Sequence, residues 1–181
     1  MSADAVVIRG PTGIGKTSTA WLLHTLLREA EVPHAALDID WLTGSWPEDG
    51  EWNMETRHRH VALMAESYRE HLGVRYFVVS GMVQTADAVE RLRVCLGATE
   101  LAVCRLHAPL EVVEARLRAR QPPDALAWFL ERAAVLDAQL PLDGLDDFAV
   151  DACQPVDRVA QEIADLLGWV NTGGHPADPS A

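Results

Sequence analysis

Short apolar runs alternate with amphipathic stretches along most of the chain. Ala5-Val6-Val7-Ile8 is β-branched and too short for a helix, so it predicts a buried strand. His34–Asp38, Tyr76–Ser80, Leu101–Leu106 and Phe148–Val150 predict four more. Between them, Ser18–Ala30, Met54–Leu72, Thr85–Leu96, Leu110–Arg120 and Ala125–Gln139 read as helices, with Thr85 as an N-cap and Pro122-Pro123 as a break. Val61, Met64, Ala65, Tyr68 and Leu72 recur at helical spacing. In a last helix, Val156–Leu167, so do Val156, Val159, Ile163 and Leu167, which are expected to face inward. The Trp41–Trp52 segment predicts a short helical turn and a loop. Continuous apolar strands alternating with helices predict an α/β protein whose parallel sheet is covered on both faces. One domain is expected over residues 1–170, and the Gly/Pro/Ser-rich tail from Asn171 is expected to be disordered.

Composition narrows the function. A chain of 181 residues that is 49% hydrophobic and 23% charged can bury a single sizeable core. A net charge of −12 argues against a general nucleic-acid surface. Cys95, Cys104 and Cys153 lack metal-type spacing and read as reduced residues of an intracellular protein. With no signal segment before the first strand and no bilayer-length apolar run, the expectation is a cytoplasmic protein with no membrane partner. A homodimer stays open, since an apolar helix face can meet the core or another subunit.

Chemistry concentrates after the first strand. Gly10 to Thr17 reads G-x-x-x-x-G-K-T, the phosphate-binding P-loop, between a strand and a helix as that motif requires. Gly10, Gly13 and Gly15 let the backbone turn tightly enough for the amides of Thr12 to Ser18, Ile14 included, to face phosphate oxygens. Lys16, the only lysine in the chain, would reach the outer phosphates and Thr17 would ligate magnesium.

The carboxyl ends of the other strands are the next place to look, because ligands gather there in open α/β sheets. Asp38 and Asp40 share one direction if the second strand persists that far. One can hold a metal-bound water and the other can take a proton from an attacking hydroxyl; Asp38, nearer the strand end, is the first choice of base, ahead of Asp40. The alternative is that the pair merely caps the next helix. Ser80 would lie near a metal water, and Gly81 would admit a substrate. Arg57 continues the buried stripe of its helix and serves either an anionic acceptor group or a structural ion pair. His58, Arg59 and His60 are expected to face solvent. Trp41, Trp46 and Trp52 either wall an acceptor pocket or cover a sheet edge. Arg116 and Arg120 share one helix face and suit a lid that closes on phosphates over residues 116–132, with Arg132 beyond the break. Arg118 is expected to be solvated and Trp128 to pack within the lid. Gln154 follows the fifth strand, where a loop can contact a nucleotide base.

In this order of motifs the chain resembles the small P-loop kinases of the nucleoside-monophosphate, shikimate, gluconate and adenylylsulfate kinase group, from Val6 to about Leu167. The compact lid with Trp128, Arg132 and Phe148 is also similar to chloramphenicol phosphotransferases and tunicamycin-resistance ATP-binding proteins. The resemblance implies a three-layer P-loop NTPase fold with an arginine-bearing lid. It implies ATP and Mg2+ as cofactors and transfer of the γ-phosphate to a hydroxyl of a small metabolite or antibiotic. Lys16, Thr17, Asp38, Asp40, Arg57, Arg116 and Arg120 would carry that chemistry. Ser80-Gly81-Met82 lacks the double glycine of shikimate and gluconate kinases, which argues against those acceptors. The alternative is a nucleotide-dependent binding or sequestering protein with weak ATPase activity.

Overall fold

The computed structural model describes residues 3–170, less the side chain of Glu51. The tail from Asn171, expected to be disordered, lies outside the described residues. Strand β1 (Ala5–Arg9) is followed by α1 (Lys16–Glu29), β2 (His34–Asp38), α2 (Met54–Leu72), β3 (Tyr76–Ser80) and α3 (Ala86–Leu96). Then come β4 (Leu101–His107), α4 (Leu110–Arg120), α5 (Pro123–Gln139), β5 (Phe148–Asp151) and α6 (Val156–Leu167). Short 3-10 turns cover Ile39–Thr43, Glu51–Asn53 and Leu140–Leu142. The five strands are parallel and ordered β2-β3-β1-β4-β5, as the alternation of elements predicts.

Strand β1 is central, with all five of its residues buried. Val6, Ile8, Val78, Cys104 and Val150 face one layer, where Leu23 and Leu27 of α1 and Val159 and Ile163 of α6 cover them. Val7, Leu37, Phe77, Val79 and Val103 face the other, under Val61 and Ala65 of α2 and Leu92 and Leu96 of α3. The Trp169 indole closes one edge, donating to the Ala3 carbonyl at 2.7 Å and tilting against the Tyr76 ring.

Three expectations about faces are corrected. Leu72 is exposed, because it is the last residue of α2 before left-handed Gly73 ends the helix. Val156 is 38% exposed, since the first turn of α6 has not yet reached the sheet. His58 is buried, whereas Arg59 and His60 are exposed. Residues of α3, Asp87 and Arg91, approach His58 closely enough to act on its charge, so α3 covers more of α2 than a single stripe.

Arg9 is the feature of the fold that periodicity does not suggest. It is fully buried at the end of β1, and Nη1 and Nη2 donate to both oxygens of Asp143 at 2.7 and 2.6 Å. Nε donates to Asp146 at 2.7 Å, Nη1 also reaches the Val83 carbonyl at 3.2 Å, and Asp146 accepts from Arg105 as well. A charge removed from water survives only when its donors are matched, and here carboxylates from the α5–β5 connection match them. Those hydrogen bonds hold the Asp143 carboxyl below its ordinary value of 3.8. A carboxyl depressed in this way contributes stability above its unfolded-state value, and that contribution is lost as pH falls through the lower folded value. Replacing Arg9 by Met should therefore cost about 3 kcal/mol in urea unfolding at pH 7. The gap from wild type should narrow as the pH is taken below 3.8.

Candidate active site

The loop after β1 has the conformation its glycines predict. Gly10 has φ +149°, and a Cβ there would lie 2.7 Å from the Leu106 carbonyl oxygen of β4. Gly13, at φ +89°, would place a Cβ 2.7 Å from Leu117 of α4. Gly15, at φ +116°, occupies the N-cap position of α1 and offers no capping side chain, so the first-turn amides stay available to an anion. Ile14 is buried and anchors the loop from beneath. Lys16 Nζ donates to the carbonyls of Gly10 and Pro11 at 3.1 and 3.3 Å. Burial pushes the ammonium pKa down; Asp40 and Asp38 oppose this and Arg120 adds to it. A half-buried cation held by two carbonyls is poised for a stronger anionic partner.

Asp38 and Asp40 reach the same space by a different route from strand alternation. β2 stops at Asp38, whose Oδ1 accepts from the Asp40 amide at 3.2 Å and starts the Ile39–Thr43 turn. Its Oδ2 accepts from the Thr17 hydroxyl at 2.7 Å. Asp38 therefore both caps a turn and faces the P-loop. Asp40 Oδ1 accepts from the Met82 amide at 3.0 Å. Gly81 has φ +150° and its missing Cβ would sit 2.3 Å from Ile39, so glycine is required here to let the Asp40 turn pack. Ser80 is the parallel register partner of Asp38, and its buried hydroxyl has no hydrogen-bond partner.

A cavity of about 810 Å³ runs over these groups. From the P-loop side it is lined by Thr12, Gly13 and Gly15–Ser18, and from β2 and its turn by Asp38, Asp40, Trp41 and Thr43. Trp52 comes from the turn before α2, Met54 and Arg57 from the start of α2, and Arg120, Trp128 and Arg132 from the α4–α5 hairpin. Arg57 is 5% exposed and its Nε has no hydrogen-bond partner. The structural ion pair weighed for it is absent among the described residues, and burial lowers its pKa against an opposing pull from Asp40. Trp46 does not line the cavity. Trp128 is half exposed at the cavity, edge-on to Phe129, and so is not enclosed within the hairpin. Arg118 pairs with Glu114 on the surface, as a solvated residue would.

Six sequence candidates lie off the cavity wall: buried Ile14 and Ser80, and four more. Gly10 sits beneath the loop, and Gly81 is occupied by its packing with Ile39. Arg116 donates to the Ile14 carbonyl at 2.9 Å and the Ala152 carbonyl at 2.7 Å, tying the P-loop to the segment after β5. Gln154 donates to Glu162 at 2.9 Å and to the Asp151 carbonyl at 3.3 Å. Met82, Gln84 and Thr85 at the β3–α3 connection do line the cavity, and Gln84 approaches Arg132 at 3.5 Å. The sequence carries no signal for these three beyond their place at a strand end.

Neither a protein-family model nor a curated protein matches this sequence. Solved structures do. A sugar kinase from Janibacter sp. HTCC2649 is 19% identical with a TM-score of 0.62, over 91% of this chain and 94% of that one. The tunicamycin resistance protein of Deinococcus radiodurans is 22% identical with a TM-score of 0.61, over 92% and 96%. The Mycobacterium tuberculosis APS kinase, solved with AMPPNP and APS, is 20% identical with a TM-score of 0.59, over 92% and 98%. The fold is that of the P-loop kinases. Within that P-loop kinase fold no described helix is long and apolar enough to cross a membrane. Gly10→Ala should lower stability by about 2 kcal/mol, from the left-handed strain and the blocked approach to Leu106, read by chemical denaturation.

Proposed function

We propose that the protein transfers the γ-phosphoryl group of ATP to a hydroxyl of a small molecule. The observation that carries this reading is one cavity with a glycine-built anion cradle and Lys16 at one side, and Asp40 with a buried, unpaired Arg57 at another. The Thr17 hydroxyl and the Asp38 carboxylate, already 2.7 Å apart, would hold magnesium, directly and through water, and the ion when bound neutralises charge on the outer phosphates. Two protein oxygens are few for that ion, so most of its ligands would be phosphate oxygens and water.

The residues then divide the work. The P-loop amides and Lys16 receive the β- and γ-phosphates, Lys16 exchanging its two carbonyl partners for charged oxygens. Arg120 and Arg132 face the same space from the hairpin and neutralise charge as the phosphoryl group moves. Asp40 is the better base by position. Both oxygens of Asp38 are engaged by Thr17 and the Asp40 amide, whereas Asp40 spends only Oδ1, on the Met82 amide. Asp40 takes the acceptor hydroxyl proton while the acceptor oxygen bonds to the γ-phosphorus and the bond to the β-phosphate oxygen breaks, releasing ADP. Arg116 acts indirectly, holding the Ile14 carbonyl so that the loop amides keep their aim.

The deciding experiment is ADP release with Mg-ATP across hydroxylated metabolites and antibiotics, with mass spectrometry for an added phosphate. Acceptor-dependent release with a phosphorylated product is expected. Tight nucleotide binding with slow hydrolysis and no such product would favour a sequestering protein. In the kinase, Lys16→Ala should lower kcat/KM by about 10³-fold or more. Asp40→Asn should lower kcat by about 10²- to 10⁴-fold with little change in the KM for ATP. Asp38→Asn should instead raise the magnesium concentration needed for half-maximal rate.

A further inference from the structure

Resting on the phosphotransferase reading, we infer that the acceptor combines a flat aromatic ring system with an anionic substituent, the ring received by Trp41 and Trp52 and the anion by Arg57. Trp41 is 82% exposed and Trp52 59% exposed, yet both line the cavity. Exposed indole surface at the wall of a cavity favours a flat apolar partner. The remaining wall between them and α3 is largely apolar, with Met54, Met82, Val83 and Ala88. A polyhydroxylated acceptor would call for a denser set of hydrogen-bonding side chains than Thr43, Gln84 and Thr85 supply there.

The turns that carry the rings are also held in place. Trp52 and Asn53 both adopt left-handed backbone, φ 62° and 46°, which costs energy in residues other than glycine. The cost is offset by the buried Asn53 side chain. Its Nδ2 donates to the Thr43 carbonyl at 2.6 Å and to Ser45 Oγ at 3.0 Å, while its Oδ1 accepts from the Asp49 amide at 2.7 Å. Asp49 in turn accepts from the Thr56 amide at 2.6 Å. Since Thr43 ends the turn that carries Trp41, Asn53 holds that turn against the strained one that carries Trp52.

Arg57 supplies the charge. It lies one turn beyond Asn53, with its guanidinium buried at the cavity and no carboxylate within salt-bridge distance among the described residues. Around the cavity Lys16, Arg57, Arg120 and Arg132 face only Asp38 and Asp40, in a chain whose net charge is −12. Lys16, Arg120 and Arg132 serve the phosphate side, and Arg57, on α2 just after the turns that carry the tryptophans, is left for the acceptor.

The test uses two fluorescent probes on the full chain with a non-hydrolysable ATP analogue and magnesium present. 1-Anilinonaphthalene-8-sulfonate carries an anion on its rings, and N-phenyl-1-naphthylamine lacks it. The sulfonate should bind about 10-fold tighter than the neutral probe. Arg57→Met should abolish that preference. Trp41→Ala should weaken both probes by about 5-fold, and Trp46→Ala should change neither. Arg57→Met should also raise Tm by about 2–4 °C, because it removes a buried unpaired charge; a structural arginine would lower it. Equal binding of the probes, indifference to Arg57→Met or a fall in its Tm would overturn the assignment. So would a dimer in sedimentation that buries Trp41 and excludes the sulfonate. Binding of a fluorescent ATP analogue, measured alongside, should be lost in Lys16→Ala and kept in Arg57→Met. If it never depends on Lys16, the phosphotransferase reading fails; if it does and the probe pattern fails, the acceptor assignment alone falls.

Discussion

Close approach of bare backbone holds this molecule's site together. The loop between β1 and α1 presses on the Leu106 carbonyl at Gly10 and on Leu117 at Gly13, and neither place has room for a methyl group. That contact brings β4 and α4 against the loop, and through Arg116 the segment after β5 as well. The loop amides are thus aimed by three layers of packing and not by the loop's own stiffness. The same device recurs at Gly81, where the absent side chain lets the Asp40 turn settle on β3.

Two buried arginines show how charge is handled in a strongly acidic chain. Arg9 and Arg57 are both removed from water, but Arg9 meets two aspartates and a carbonyl, while Arg57 meets no carboxylate at bonding distance. The first arrangement, completed by a second carbonyl at Leu140, is a closed circuit that welds the α5–β5 connection to the central strand. The second is an open one, and an open charge in a closed fold is where ligand energy can be gained. Lys16 stands between these extremes, resting on two carbonyls that a phosphate would outcompete.

How much of this could be read from residues alone follows from how local each signal is. The five strands, their parallel arrangement and the P-loop are short-range patterns, and each falls within a few residues of its predicted place. Lys16, Thr17, Asp38, Asp40, Arg57 and Arg120 also meet at one cavity, because strand ends in such a sheet converge. What escaped depends on long-range packing. The carboxylate partners of Arg9 lie more than 130 positions away, and His58 is buried by a helix that only the tertiary arrangement places over it. Arg116 reads as a lid arginine facing phosphate and Gln154 as a base contact. In the fold, Arg116 bonds the Ile14 and Ala152 carbonyls and Gln154 bonds Glu162, partners that only the packed chain brings within reach.

The Trp169 indole bond to the Ala3 carbonyl has a topological consequence. It brings residues near the two ends of the described segment together beside the amino end of β1, across the sheet from the cavity at the strands' carboxyl ends. The described segment is therefore nearly a closed ring, with the cavity at the opposite pole from the closure. A circular permutant joined across that bond would keep every cavity residue in its native neighbourhood, with the new termini free to be placed in any exposed connection remote from the P-loop.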